Sequence, residues 1–137
     1  QKADLQNANM KRADLSSADL RNANLKTADV FRARLKTADL TGTDLSNANL
    51  QKVDLKEAII HNTDLSNSDL RGVTITGAKI IFKNAQTNLD GAKVDALDWF
   101  DFLLKNCIIE GDLLALFEID PTPQEDLSGK YFEIKKK

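Results

Sequence analysis

From Ala3 to Phe82 the aliphatic positions recur every five residues. Read in blocks, the chain runs ADLQN, ANMKR, ADLSS, ADLRN, ANLKT, ADVFR, ARLKT, ADLTG, TDLSN, ANLQK, VDLKE, AIIHN, TDLSN, SDLRG, VTITG and AKIIF. All sixteen third positions, Leu5 through Ile80, are aliphatic, Met10 included. Eleven of the sixteen first positions are Ala and the others Thr, Val or Ser; twelve second positions are Asp or Asn. A period of five fits neither the 3.6-residue helical turn nor the two-residue alternation of a strand, so neither element could keep those side chains on one face. The spacing predicts a chain that turns a corner every five residues. Four short extended sides then close a coil of twenty residues, and successive coils stack with backbone hydrogen bonds between them. The third residue of each block faces the axis, small first residues sit at crowded corners, and Asp or Asn satisfies backbone groups at the turn. Third positions and the Ala set are therefore expected to be buried, and second, fourth and fifth positions largely exposed.

Tandem A-(D/N)-L-x-x over residues 3 to 82 resembles the pentapeptide-repeat proteins. The resemblance implies an all-β solenoid, a right-handed quadrilateral β-helix of four to five coils. After Phe82 the register shifts. Thr87-Asn88-Leu89-Asp90-Gly91 and Ala92-Lys93-Val94-Asp95-Ala96 read as two further blocks after a shortened Lys83-Asn84-Ala85-Gln86. The repeat region is expected to span 1–96, with 97–137 a C-terminal helical cap and tail.

Composition supports that division: of eight aromatic residues only Phe31 precedes position 82. A stacked coil ends in unpaired backbone and exposed axis residues, which terminal segments of repeat proteins cover. Asp95 or Asp98 can cap a helix running to about Lys105, its apolar surface supplied by Trp99, Phe100, Phe102, Leu103 and Leu104. These residues are expected to seat on Ile59, Ile81 and Phe82, apolar substitutions on the outside of the last side. Asp112 can open a second short turn through Phe117, and Lys130 to Ile134 alternates like a strand. The opposite end begins directly in repeats at Gln1. It is expected to continue into a larger protein or to pair with another copy.

Charge excludes more than it assigns. Nineteen basic and 21 acidic side chains leave a formal net charge of −2, which is unlike a nucleic-acid binder, and no stretch is long and apolar enough for a membrane span. An enzyme is not expected. The sequence carries no Ser-His arrangement, no glycine-rich phosphate loop and no ligand set for a metal, and no cofactor is implied. His61 is read as a surface or packing residue, Cys107 as a small buried hydrophobe, and the Asp and Asn rows as corner-forming rather than calcium-binding.

Residues twenty apart stack, so each side can be tallied. The side built on Met10, Val30, Leu50 and Leu70 presents Lys11, Arg12, Arg32, Lys52 and Arg71 against Asp29 and Asp69, net +3. With Phe31 among them, these are the partner-binding candidates, and the expected partner is an acidic protein. The expected function is a non-catalytic interaction module or scaffold. The resemblance implies an alternative, since some members mimic DNA and bind gyrase or topoisomerase IV. That alternative calls for a continuous acidic stripe, whereas the most acidic side here offers three Asp against Lys26. Proteins with this repeat are abundant in cyanobacteria, so a bacterial and cyanobacterial source is expected, and the expected compartment is the cytoplasm ahead of periplasm or thylakoid lumen.

Overall fold

A computed structural model describes residues 2–83 and 87–137. Parallel pairing joins residues twenty apart on four sides in turn, beginning with Asp4↔Asn24, Asn9↔Asp29, Asp14↔Arg34 and Asp19↔Asp39. The coil is therefore four-sided with five residues per side, a β-helical solenoid. Each rung is held from both directions: the Leu5 N–H donates to the Asn24 carbonyl at 2.7 Å, and the Asn24 N–H donates to that of Ala3 at 2.8 Å. On the fourth side rungs lengthen into strands, β1 (Ile59–His61) and β2 (Lys79–Ile81).

The corners explain the repeat. At each one a first-position N–H returns to the preceding third-position carbonyl, as from Ala8 to Leu5 at 3.0 Å. The second-position side chain accepts from the N–H two residues on: Asp14 from Ser16 at 3.1 Å, Asp44 from Ser46 at 2.9 Å. The fifth position is left-handed, with φ of 61° at Asn7, 58° at Glu57 and 71° at Gly42. That is the conformation the third residue of a type II turn requires.

Axis side chains from Leu20 through Ile80 are buried, each contributing roughly 1.5–3 kcal/mol of apolar burial. In the first coil, covered by a neighbour on one side alone, Leu5, Met10, Leu15, Ala8, Ala13 and Ala18 are half-buried and Ala3 is exposed. In the inner coils, second-position residues such as Asn24, Asp44 and Asp64 are half-buried rather than largely exposed, because coils flank them above and below.

Above the fourth coil the pairing offset grows by four residues, to Asp64↔Asn88 and Asp69↔Lys93. Thr87–Gly91 thus stacks directly on residues 63–67, after the block expected at Lys83-Asn84-Ala85-Gln86. Residues 84–86 of that block lie outside the described residues. The next side ends in β3 (Lys93–Val94), and the third side of this coil is replaced by α1 (Trp99–Asn106). The coil then regains its fourth side as β4 (Ile108–Glu110), parallel to β2 with Ile80 opposite Ile109.

Asp98 occupies the start of α1 without a side-chain capping bond. The inner face of the helix is Trp99, Phe100 and Leu103. Trp99 and Leu103 line one small apolar cavity together with the axis residues Leu55, Ile60, Leu65, Leu70, Ile75, Ile80 and Leu89. Phe102 and Leu104 do not join them: an eight-residue helix lying on a coil buries one stripe only, and these two face outward at 40% and 46% exposure. Ile59 likewise stays exposed, whereas Phe82 is buried edge-on against Phe117 with ring centroids 6.1 Å apart.

The remainder is mostly strand, not helix. After the four-residue α2 (Leu113–Leu116), capped by Asp112, come β5 (Phe117–Ile119), β6 (Gln124–Asp126) and β7 (Gly129–Lys136). β7 is the centre, antiparallel to β5, β6 and β3, with Val94 opposite Phe132. The alternation seen in Lys130–Ile134 extends across the whole of β7, and this strand closes the parallel ladder on one side with an antiparallel partner. Among the described residues no helix is long and apolar enough to cross a membrane.

Candidate functional site

The second side of the solenoid carries two outward rows. Fourth positions give Lys11, Phe31, Gln51 and Arg71; fifth positions give Arg12, Arg32, Lys52 and Gly72. Their backbones are locked in register, because the Arg12 N–H donates to the Phe31 carbonyl at 2.9 Å, Arg32 to Gln51 at 3.0 Å and Lys52 to Arg71 at 2.9 Å. Rungs of a ladder lie about 4.8 Å apart, so the cations form a line at that spacing. Each sits at a left-handed corner, φ 60°, 58° and 59°, which aims the side chains away from the coil. All three are exposed. Among the described residues none of them forms an ion pair; Arg32 lies over the Phe31 ring, 5.3 Å from its centroid.

Phe31 is half-buried, its N–H bound to the Asp29 carboxylate at 3.1 Å. Lys11 reaches Asp29 at 3.4 Å, an exposed pair that binds weakly. Arg71 departs from the expected surface row. It is 6% exposed and donates from Nε and Nη2 to Asp69 at 2.9 and 2.6 Å, and from Nη1 and Nη2 to Asp126 at 2.9 Å each. Nη1 also reaches the Gly129 carbonyl at 3.1 Å, and the guanidinium lies 5.0 Å from the Tyr131 ring centroid. A cation with two carboxylates and an aromatic face is saturated; it ties the β6–β7 hairpin to the coil instead of meeting solvent.

Lys93 completes that cluster, 3.0 Å from Asp126 and 4.5 Å from the Tyr131 centroid. Hydrogen bonds from Arg71, then from Lys93, hold the Asp126 carboxyl well below the ordinary carboxylate range. Sequence reasoning placed Asp69 on the same side as Arg71 but missed Asp126, which is 55 residues away with nothing periodic connecting them. The one local sign was the turn-forming run Asp126-Leu127-Ser128-Gly129.

Other candidates occupy structural positions. The Cys107 sulfur lies 3.2 Å from the Ile75 carbonyl, and burial pushes its thiol up to about 11. His61 is half-buried in β1. The Asp and Asn rows spend an oxygen on their own turns, and among the described residues no group of three or more His, Cys, Asp or Glu is placed to hold a metal ion.

Eight copies of the pentapeptide-repeat family model match across residues 1–36 and 33–72. The chain belongs to the pentapeptide-repeat family. Two solved structures of that family are similar to this pentapeptide-repeat chain. HetL from the cyanobacterium Nostoc sp. strain PCC 7120, a protein involved in heterocyst differentiation regulation, is 36% identical over 65% of this chain, with a TM-score of 0.59. The match spans only 39% of HetL. AT2G44920 from the Arabidopsis thaliana thylakoid lumen is 30% identical, with a TM-score of 0.64, over 82% of this chain and 78% of its own. No curated protein sequence matches at a significant level.

Proposed function

We propose that this pentapeptide-repeat chain is a non-catalytic protein–protein interaction module whose second side meets an acidic protein partner. The observation that carries the reading is the line of Arg12, Arg32 and Lys52, exposed, register-locked and without internal counter-ions among the described residues. Like charges on consecutive rungs repel one another, and that repulsion is relieved when an acidic surface docks. Phe31, under the Arg32 guanidinium, supplies an apolar contact beside the charges. In this reading the coil is the right-handed quadrilateral β-helix of the family, and residues 97–137 are its cap. Action by binding is in keeping with HetL, a protein involved in heterocyst differentiation regulation. The DNA-mimic alternative needs a continuous acidic stripe, and the exposed row on this side is cationic.

The test is capture of the natural partner by the full chain from extracts of its source cell, compared with the double variant Arg32→Glu, Lys52→Glu. Binding should fall by about tenfold or more and become less salt-sensitive, while the melting temperature stays unchanged because neither side chain faces the axis. Retained capture after these changes and after Phe31→Ser assigns recognition to another face.

A further inference from the structure

The β6–β7 hairpin descends the same side that carries the cationic line. Asp126 is bound to Lys93 on the fifth coil and to Arg71 on the fourth, and the Ser128 hydroxyl comes within 3.5 Å of Gln51 Nε2 on the third. Asp126 and Gly129 pair, so the turn consists of Leu127 and Ser128 alone. Both flanks of Leu127 are fixed. Asp126 takes two hydrogen bonds from Arg71 and one from the Ser128 N–H at 2.9 Å, and the Gly129 carbonyl takes another from Arg71. Yet Leu127 itself is 109% exposed, more than any other large apolar residue among those described.

We propose that Leu127 is a second apolar anchor of the second-side surface, so that the coil and the hairpin together bind an acidic segment carrying apolar side chains. The proposal rests on the reading of the Arg12, Arg32, Lys52 line as the contact surface. Position supports it. Phe31 lies one rung below Gln51, and the hairpin tip lies against Gln51, so Phe31 and Leu127 are separated by about two rung spacings, on the order of 10 Å. Lys52 is next in sequence to Gln51 and exposed on the same side. An unpaired cationic line with one apolar group on its middle rung and another beyond its Lys52 end matches an acidic segment with two apolar residues, because the carboxylates set encounter and the desolvated side chains set dissociation. It also gives the Arg71, Asp69, Asp126, Lys93 and Tyr131 cluster a purpose beyond holding the hairpin: a side chain on a clamped tip loses little further freedom when it binds.

Fluorescence anisotropy with two synthetic peptides tests this on the full chain. One peptide is glutamate-rich and carries two leucines; in the other both leucines are serine. The wild type should bind the leucine peptide about a hundredfold more tightly than its serine counterpart, the effect of burying two Leu-sized contacts at about tenfold each. Leu127→Ser and Phe31→Ser should each reduce that preference while leaving binding of the serine peptide intact, and the two together should remove it. Arg32→Glu, Lys52→Glu should abolish binding of both peptides. If Leu127→Ser keeps the full preference, the anchor proposal fails while the charged line stands. If the double charge reversal leaves binding unchanged, or the wild type binds neither peptide, the line and the anchor both fail. Sedimentation of the wild type and Leu127→Ser supplies the remaining outcome: self-association of the wild type alone makes the tip a contact between copies and overturns an acidic partner.

Discussion

The repeat coil and the C-terminal segment reach stability by opposite routes. In the coil every inner axis residue does the same work: Leu25, Leu45 and Leu65 lie one above another, each at 4% exposure or less. Coil geometry is repeated, so its contacts are interchangeable. In the C-terminal segment each contact occurs once: Phe82 on Phe117, Leu103 on the axis, Arg71 on Asp126. The coil is specified by a pattern, the segment above it by particular pairs. Substitutions in the coil should therefore scale with depth in the stack, while those in the segment should act through a named partner.

The sharpest break is Leu45→Asp. Its side chain is wholly buried, with coils above and below, and a carboxylate there finds neither water nor a cation. The combined loss of Leu packing and burial of an unpaired charge is about 5 kcal/mol or more, comparable to the whole stability of a small domain. Circular dichroism should show an unfolded chain. The same change at half-buried Leu5, whose carboxylate keeps contact with solvent, should cost about 2 kcal/mol and leave the fold intact by urea titration. Equal loss at the two positions would contradict the argument from depth.

A smaller effect tests the join between the regions. Asp126 has its pKa depressed, chiefly by Arg71, so its ionised form is favoured by folding. The stability it supplies is complete above the unfolded carboxyl value, roughly 3.9, and is lost as pH falls through the depressed folded value. Melting temperatures of the wild type and Asp126→Asn should differ most near neutral pH, begin to converge below about pH 4 and meet only as pH falls through the depressed folded value. A gap that persists unchanged into acid would show that Asp126 acts through its shape rather than its charge.

This contrast also decides what was legible in advance. Sixteen aliphatic third positions and twelve Asp or Asn at the second led from the sequence to the coil, its inward face and the turn role of the carboxylates. One regularity was readable and missed: fifth positions are Asn or Gly at Asn7, Asn22, Gly42, Asn47, Asn62, Asn67, Gly72 and Gly77, the residues that tolerate positive φ. The C-terminal segment yielded its helix, because Trp99, Phe100 and Leu103 follow helical spacing, but not its antiparallel sheet. β7 pairs with β3 from some forty residues away in sequence, and no local pattern encodes that register. For the same reason Arg71 looked like one more exposed cation. Lys11, Arg12, Phe31, Arg32 and Lys52 could be placed on one face because their position depends on the period alone.

The left-handed corners offer the finest test of a region built from equivalent positions. Glu57 holds φ of 58°, is exposed and makes no ion pair among the described residues. Its carboxylate therefore contributes little, while its backbone occupies a conformation that costs ordinary L-residues about 1–2 kcal/mol. Asn is relieved of part of that cost by hydrogen bonding locally to the backbone, and this chain already uses it at five such corners, Asn7, Asn22, Asn47, Asn62 and Asn67. Glu57→Asn should stabilise the chain by roughly 0.5–1 kcal/mol, raising the urea midpoint without changing the slope of the transition. Glycine would relieve the strain more fully but widen the unfolded ensemble, so its gain should be no larger. If Asn gives nothing at Glu57, the corners are not equivalent. The strain at each would then be set by its own neighbours, here Thr76, whose carbonyl accepts the Glu57 N–H at 3.1 Å, and Gly77 on the rung above.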